Sequence, residues 1–215
     1  MIRSIRNATA DDAGLLWAAE QAVVRLHDGL LVAQPGELTV SAFSDRIASQ
    51  EQGTCHILVA EVGHTATGHG SLERMLMRNM AHVLRLDLCV HIGHWRQGHG
   101  RALLADLLDW AEQRDWARKV ELNARRGNLG AIELYREFGF HHEGWLRGRV
   151  RLRDGSFSDD VSMGLQLGAS RGGRHPNVRD KTENSVFGVP AAAFPAHGVV
   201  SDSCNASETT RRINS

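Results

Sequence analysis

Residues 83 to 111 dictate most of what this chain can become. In Val-Leu-Arg-Leu-Asp-Leu-Cys-Val, Leu84, Leu86, Leu88 and Val90 recur with a period of two while Arg85, Asp87 and Cys89 alternate with them. That pattern predicts a strand over 83–90 with one apolar face. Leu103, Leu104, Leu107, Leu108 and Ala111 then recur at helical spacing, so a helix follows and ends near Arg114. Between strand and helix lies Trp95-Arg96-Gln97-Gly98-His99-Gly100-Arg101-Ala102. Glycines in such a turn let main chain approach a ligand with no Cβ in the way, and the N–H groups of a helix start point at an anion. A pyrophosphate suits the turn. Two other readings stand beside that one: the glycines simply make the turn, or they form a dinucleotide-binding turn with Glu121 as the ribose contact. The second is weakened by Leu103 where a third glycine belongs. A P-loop fails, because Arg101-Ala102 follows Gly100 in place of Lys-Ser/Thr.

The remaining periodicities alternate between strand and helix, the signature of a mixed sheet-and-helix domain over residues 1–167. A strand near Ile2 to Arg6 leads to Asp11 as a cap, and Leu15, Leu16, Ala19, Val23 and Leu26 mark one face of a helix. A weaker helix spans Ser41 to Ser49. His56 to Val62 and Ala66 to Glu73 read as a hairpin about Gly63-His64, with Gly68 and Gly70 weakening its second strand. Val120 and Leu122 begin a short strand. A helix carrying Ala131, Ile132, Tyr135 and Phe138 follows the Gly127-Asn128 turn and stops at Gly139. Phe140 onward and Phe157 to Leu167 form a last pair of strands through Asp154-Gly155. Beyond Leu167 the chain turns rich in Ser, Asn, Arg, Gly and Ala with no sustained period, so residues 168–215 are expected to be a disordered tail.

The segment ELNARRGNLGAIELYREFGF, taken with RQGHGRALL, resembles two motifs of the GNAT superfamily of acetyl-CoA-dependent N-acetyltransferases. RQGHGRALL corresponds to Q/R-x-x-G-x-G/A, and the other segment to N-x-x-A-x-x-L-Y-x-x-x-G-F. The opening IRNATADDAGLL and the closing EGWLRGRVRLRDGSFSDDVSMGL resemble the family's first strand and helix and its final hairpin. One departure stands in the first motif, where Trp95 occupies the Q/R position and Arg96 is the first basic residue. The resemblance implies an α/β fold with a mixed, mostly antiparallel central sheet flanked by helices. It implies acetyl-CoA as cosubstrate, with Leu88 and Val90 binding the pantetheine arm through main-chain groups. Arg96, Gln97, Gly98, His99, Gly100, Arg101 and Ala102 would surround the pyrophosphate, Asn128 would hold the pantetheine, and Tyr135 would face the thioester sulfur.

Acetylation of an amine by a thioester needs a neutral amine, a polarised carbonyl and a proton for the departing thiolate. Tyr135, the one tyrosine in the chain, offers the proton, and the resemblance implies that Val90 N–H supplies the polarisation. The acceptor implied is a small primary amine or amino acid attacking directly in a ternary complex. A protein N-terminus or lysine, and a noncatalytic CoA-binding module, are the alternatives. For the base, Asp87, His82 and His91 are candidates that also fit structural roles. Cys89 reads as a small buried thiol. His91, His94 and His99 match no common metal spacing, so no metal is expected. Arg147, Arg149, Arg151 and Arg153 repeat with period two, as a solvated strand face or a site for a carboxylate-bearing substrate. Twenty-five basic and 25 acidic residues cancel, and no polybasic stretch favours nucleic acid as a partner. No apolar run suits a membrane span and no apolar core follows Arg3 and Arg6, so the expected compartment is the cytoplasm. Three widely spaced cysteines define neither disulfides nor a CxxC site. A homodimer is left open.

Overall fold

The computed structural model describes residues 3–168; the expected tail lies outside them. The elements, in chain order, are β1 (Arg3–Asn7), α1 (Ala13–Leu26), α2 (Val40–Ala48), β2 (Cys55–Val62), β3 (Thr65–Arg74), β4 (Val83–Val90), α3 (His99–Glu112), β5 (Lys119–Arg125), α4 (Leu129–Glu137), β6 (His141–Arg151) and β7 (Phe157–Gln166). They build one seven-stranded sheet in the order β1-β2-β3-β4-β5-β7-β6. Every neighbouring pair is antiparallel except β4 and β5. The strand at 83–90 and the helix after it form as their periods require.

Alternation along β2 gives the sheet two buried faces. Leu58 and Ala60 join one core with Leu84, Leu86, Leu103, Leu104 and Leu107 from β4 and α3. Cys55, Ile57 and Val59 join another with Leu16, Phe43 and Ile47 from α1 and α2. Gly68 and Gly70 lie where α3 crosses β3. A Cβ on Gly70 would stand 2.9 Å from both Leu107 Cδ1 and Leu88 Cδ1, and one on Gly68 would stand 3.3 Å from Leu103 Cδ1. These glycines, expected to weaken the strand, instead let the helix settle onto it.

Three local expectations are corrected. The first helix is preceded by a turn in which Thr9 N–H donates to Asp12 Oδ2 at 2.7 Å, so Asp12 does the work expected of Asp11. The buried residues of α1 are Ala13, Leu16, Gln21, Val23 and Val24, while Leu15 and Leu26 face water at 46% and 66% exposure. The contact stripe is thus rotated off the apolar row, and Glu20, four residues from both Leu16 and Val24, falls within it. The arginine run also departs from a single strand face. A register shift between Leu146 and Val150 interrupts β6, and Arg153 lies beyond the strand, paired with Asp28 at 3.1 Å.

Asp12 is held by Arg6 at 2.7 Å. The hydrogen bonds from that guanidinium lead in lowering its carboxyl to about 2. A depressed carboxyl contributes stability above its unfolded value and loses it as pH falls towards the folded one. Asp12→Asn is therefore expected to cost about 1–2 kcal/mol at pH 7, after allowing for the water around Arg6, and progressively less between about pH 4 and 2. Urea melts of both proteins across that range check it. Gly70→Ala is expected to cost about 1–3 kcal/mol in the same assay, because two packed leucines must yield to the new methyl.

Candidate active site

The site begins where the sheet comes apart. Parallel pairing of β4 with β5 runs only through Val83↔Lys119, Leu84↔Val120 and Arg85↔Glu121, although β4 continues to Val90 and β5 to Arg125. Main-chain direction settles what faces the gap. Val83 O and His91 N–H bond toward β3, to Met75 and Thr67, whereas His82 O accepts from Arg118 on the β5 side. Successive residues alternate, so Leu86, Leu88 and Val90 turn their N–H and C=O groups toward the side that β5 has left. Val90 O accepts from Trp95 Nε1 at 2.7 Å, which leaves its N–H as that residue's contribution. Trp95, a departure from the motif, thus ties the turn to the last carbonyl of β4. Its ring also meets His27 at the end of α1, with centroids 4.8 Å apart.

The glycine-bearing turn stands at the mouth of this gap. Gly98 caps α3 in the left-handed region at φ 81°, and Arg96 shares that region at φ 61°. Ala102 N–H bonds to Gly98 O at 3.1 Å, so the N–H groups of Gly100 and Arg101 precede the helical ladder. A Cβ on Gly100 would meet Val90 Cγ2 at 3.3 Å and Leu88 and Leu134 at 3.6 Å. Gly100 therefore brings α3 close to β4 and α4. Side chains in the turn are mostly committed. Gln97 Nε2 donates to Gly93 O at 3.0 Å, Arg101 pairs with Glu137, and His99 is buried with Nδ1 3.1 Å from Thr67 Oγ1. Arg96 reaches the start of α4, its Nη1 lying 3.0 Å from where a Cβ on Gly130 would be. Asn128 caps that helix by accepting Ala131 N–H at 3.3 Å, so its oxygen is spent locally and its Nδ2 faces outward from that bond.

Tyr135 lies on the inner face of α4 at 8% exposure, its ring 5.7 Å from that of Phe140. Its hydroxyl makes no hydrogen bond to another described side chain. Burial first, then Asp87 and Cys89, raise its pKa well above the ordinary phenol range, so the group stays a proton donor at neutral pH. The same influences place it near the part of β4 that β5 has left. On the opposite face of β4, Asp87 is 57% exposed in its side chain and 3.6 Å from Arg46 Nη2. Burial raises its carboxyl, and Arg46 and Arg85 oppose the rise. Cys89 is a free, buried thiol raised far above its usual range, by burial and then by Glu20. It is therefore no nucleophile.

Of the other bases suggested by sequence, His82 is exposed at the paired end of β4. His91 is buried, with Nδ1 3.0 Å from Ala66 O and Nε2 3.0 Å from His69 Nδ1. Burial, then His69, lowers it to about 4. Sequence reasoning missed the rest of that chain: His69 Nε2 lies 2.9 Å from Glu20 Oε1. It also missed Arg125, buried in a pair with Asp160 and bonded through Nε to Gly29 O, which ties β5, β7 and the α1–α2 connection together. The one available signal was an acidic residue in the inward row of α1. Among the described residues no group of three His, Cys, Asp or Glu could hold a metal ion, and no helix is long and apolar enough to cross a membrane. A recess of about 440 Å³ between β1, β2 and the outer side of α3 holds none of the gap's residues.

A sheet opened between two parallel strands, with a helix N-terminus at the opening, offers main-chain hydrogen-bond donors to a ligand there. The chain belongs to the acetyltransferase (GNAT) family, whose model matches residues 23–140. It is similar to the L-amino acid N-acetyltransferase AaaT of Escherichia coli (strain K12), with 27% identity over 108 residues, 49% of this chain and 65% of that protein. It is also similar to the mycothiol acetyltransferase of Kineococcus radiotolerans, with 34% identity over 119 residues, 52% of this chain and 34% of that protein. The match thus spans less than two thirds of either relative. In fold it matches the crystal structure of a GNAT superfamily phosphinothricin acetyltransferase from Sinorhizobium meliloti in complex with AcCoA. That likeness has a TM-score of 0.69 at 18% identity and covers 78% of this chain and 90% of the other.

Gly100→Val is expected to wedge α3 from β4, costing about 1–3 kcal/mol, and to shrink the rise in melting temperature that acetyl-CoA produces. Thermal melts with and without acetyl-CoA measure both effects.

Proposed function

We propose that the protein transfers the acetyl group of acetyl-CoA to the amine of a small molecule, an amino acid or related primary amine, by direct attack in a ternary complex. One observation carries the reading: the early end of β4–β5 pairing leaves main-chain groups aimed at a gap that Tyr135 approaches from one face and Asp87 from the other. Leu88 and Val90 would hold the pantetheine arm as an added strand is held, through main-chain hydrogen bonds. Asn128 Nδ2 would add a donor from the start of α4. The turn from Arg96 to Ala102 would receive the pyrophosphate, with main-chain N–H groups and the Arg96 guanidinium as donors and the side chains of His99 and Arg101 turned to structural duty. The thioester supplies the activated acyl group.

Asp87, open to water beside the gap, draws the acceptor's ammonium. Once the amine is neutral, its lone pair attacks the thioester carbon while Val90 N–H stabilises charge on the carbonyl oxygen. The C–S bond then breaks as Tyr135 O–H protonates the departing sulfur, and the second proton that the attacking nitrogen sheds on becoming an amide restores the phenol. The likenesses to an amino-acid and a mycothiol acetyltransferase support the acceptor class.

Thiol release from acetyl-CoA across a panel of amino acids, simple amines and a lysine peptide tests this reading. Turnover with small amines supports it, and binding of acetyl-CoA without turnover on any amine favours the noncatalytic module. Tyr135→Phe is expected to lower kcat about 10²-fold while melting temperature and KM for acetyl-CoA hold. Asp87→Asn is expected to raise KM for the amine about tenfold, the loss of one charge-assisted contact.

A further inference from the structure

The chain of buried groups behind Asp87 has a proton count that its hydrogen bonds impose. Ala66 O can only accept, so His91 Nδ1 carries a hydrogen. His91 is neutral, which makes its Nε2 an acceptor, and His69 Nδ1 must therefore donate to it across 3.0 Å. The other nitrogen of His69 faces Glu20 Oε1 at 2.9 Å. With a neutral His69 and an ionised Glu20, that last contact sets lone pair against lone pair. Moving the hydrogen to Nε2 mends it only by creating the same conflict between the two imidazoles. Every contact is satisfied when the group holds one proton beyond two neutral rings and a carboxylate. That proton lies between His69 and Glu20, because His91 ends on a carbonyl.

We infer that Glu20, His69 and His91 form a one-proton store on the acceptor face of the gap, and that the emptied store takes the proton of the acceptor's ammonium. This rests on the proposed acetyl transfer. Glu20 sits in the inward row of α1 with its side chain 14% exposed, and its charge is felt by Asp87 and Cys89 on β4 and by Arg46 on α2. Around the store also stand Glu73 from β3, which bonds Arg46 at 2.7 Å, His94, whose charge opposes that of His91, and the edge-on ring of Phe43. Asp87, with Arg46 Nη2 at 3.6 Å and Arg85 Nε at 3.9 Å, attracts the ammonium while its carboxylate stays engaged with those two guanidinium groups. In the step, an ammonium N–H bond breaks with its electron pair left on nitrogen. The proton enters through Glu20 and completes the Glu20–His69 hydrogen bond. Between turnovers it returns to water by the same carboxylate. Glu20 is thus the group that meets the acceptor, while His69 and His91 are positioning residues.

Nitrogen-15 spectra of histidine side chains in the full-length protein test the count directly, with His69→Gln and His91→Gln samples assigning the signals. At pH 7 both ring nitrogens of His69 should be protonated, whereas His91 should show a protonated Nδ1 and a bare Nε2. A neutral His69 overturns the store, whatever the acetyl-transfer assay shows. Glu20→Gln supplies an amide N–H that donates to His69 Nε2, so the chain is then satisfied without the extra proton. In that variant His69 should become neutral and kcat should fall about 10²-fold, the lower range of acid–base assistance, with KM for acetyl-CoA unchanged. The pH at which kcat/KM for the amine rises should also move. Full kcat and an unmoved pH profile in Glu20→Gln overturn the catalytic role even if the spectra support the count. A wild-type protein without turnover on any amine overturns the proposed transfer and leaves the spectroscopic result standing.

Discussion

Three residue pairs of parallel sheet hold this molecule's two halves of sheet together, and their early end is the constraint from which the site follows. Main-chain groups of a central strand are obliged to find partners. By parting from β4 after Arg85, β5 leaves a row of them facing open space in the middle of a sheet instead of at its rim. The strand β3 fixes the direction of that row by holding every odd-numbered residue of β4. The glycines Gly68 and Gly70 then let α3 lie close enough that its first turn opens at the end of the row. Polar groups that would be costly if sealed are the ones proposed to serve as a ligand surface.

Much of this was legible in the sequence, for reasons that can be separated. The period-two alternation in 83–90 and the leucines of 103–111 mark faces, and a face is what periodicity records. The turn chemistry at Gly98 and Gly139 was legible because positive φ selects glycine. The parting of β4 from β5 was not, since no local pattern says where two strands stop pairing; the family resemblance suggested only that Leu88 and Val90 offer main-chain groups. The row of α1 was misread because Leu15 and Leu26 are apolar yet exposed. The same rotation hid Glu20. Its partners, His69 and His91, lie 49 and 71 positions away along the chain, a separation that a sheet register resolves and a sequence window does not.

The residues of the motif divide their labour differently from what the letters suggest. Gly100 works by packing, His99 by an inward bond to Thr67, and Arg101 by joining α3 to α4. What remains for an anion is main chain and Arg96. That division explains how Trp95 is tolerated where a polar side chain usually stands: its indole N–H secures the turn to β4, and the groups proposed to face the ligand are elsewhere.

The starts of α3 and α4 and the guanidinium of Arg96 converge on one mouth, in a protein whose formal charges sum to zero. Helix starts and a guanidinium are all sources of positive potential, and a concave, low-dielectric rim concentrates them. The chain as a whole would drift little in an electric field, yet a polyphosphate nearing this rim would be pulled inward. Added salt would screen that pull and slow encounter, while leaving almost untouched the residence of an uncharged arm held by main-chain hydrogen bonds deeper in the gap. Ionic strength would thereby separate how quickly the ligand is found from how long it is kept.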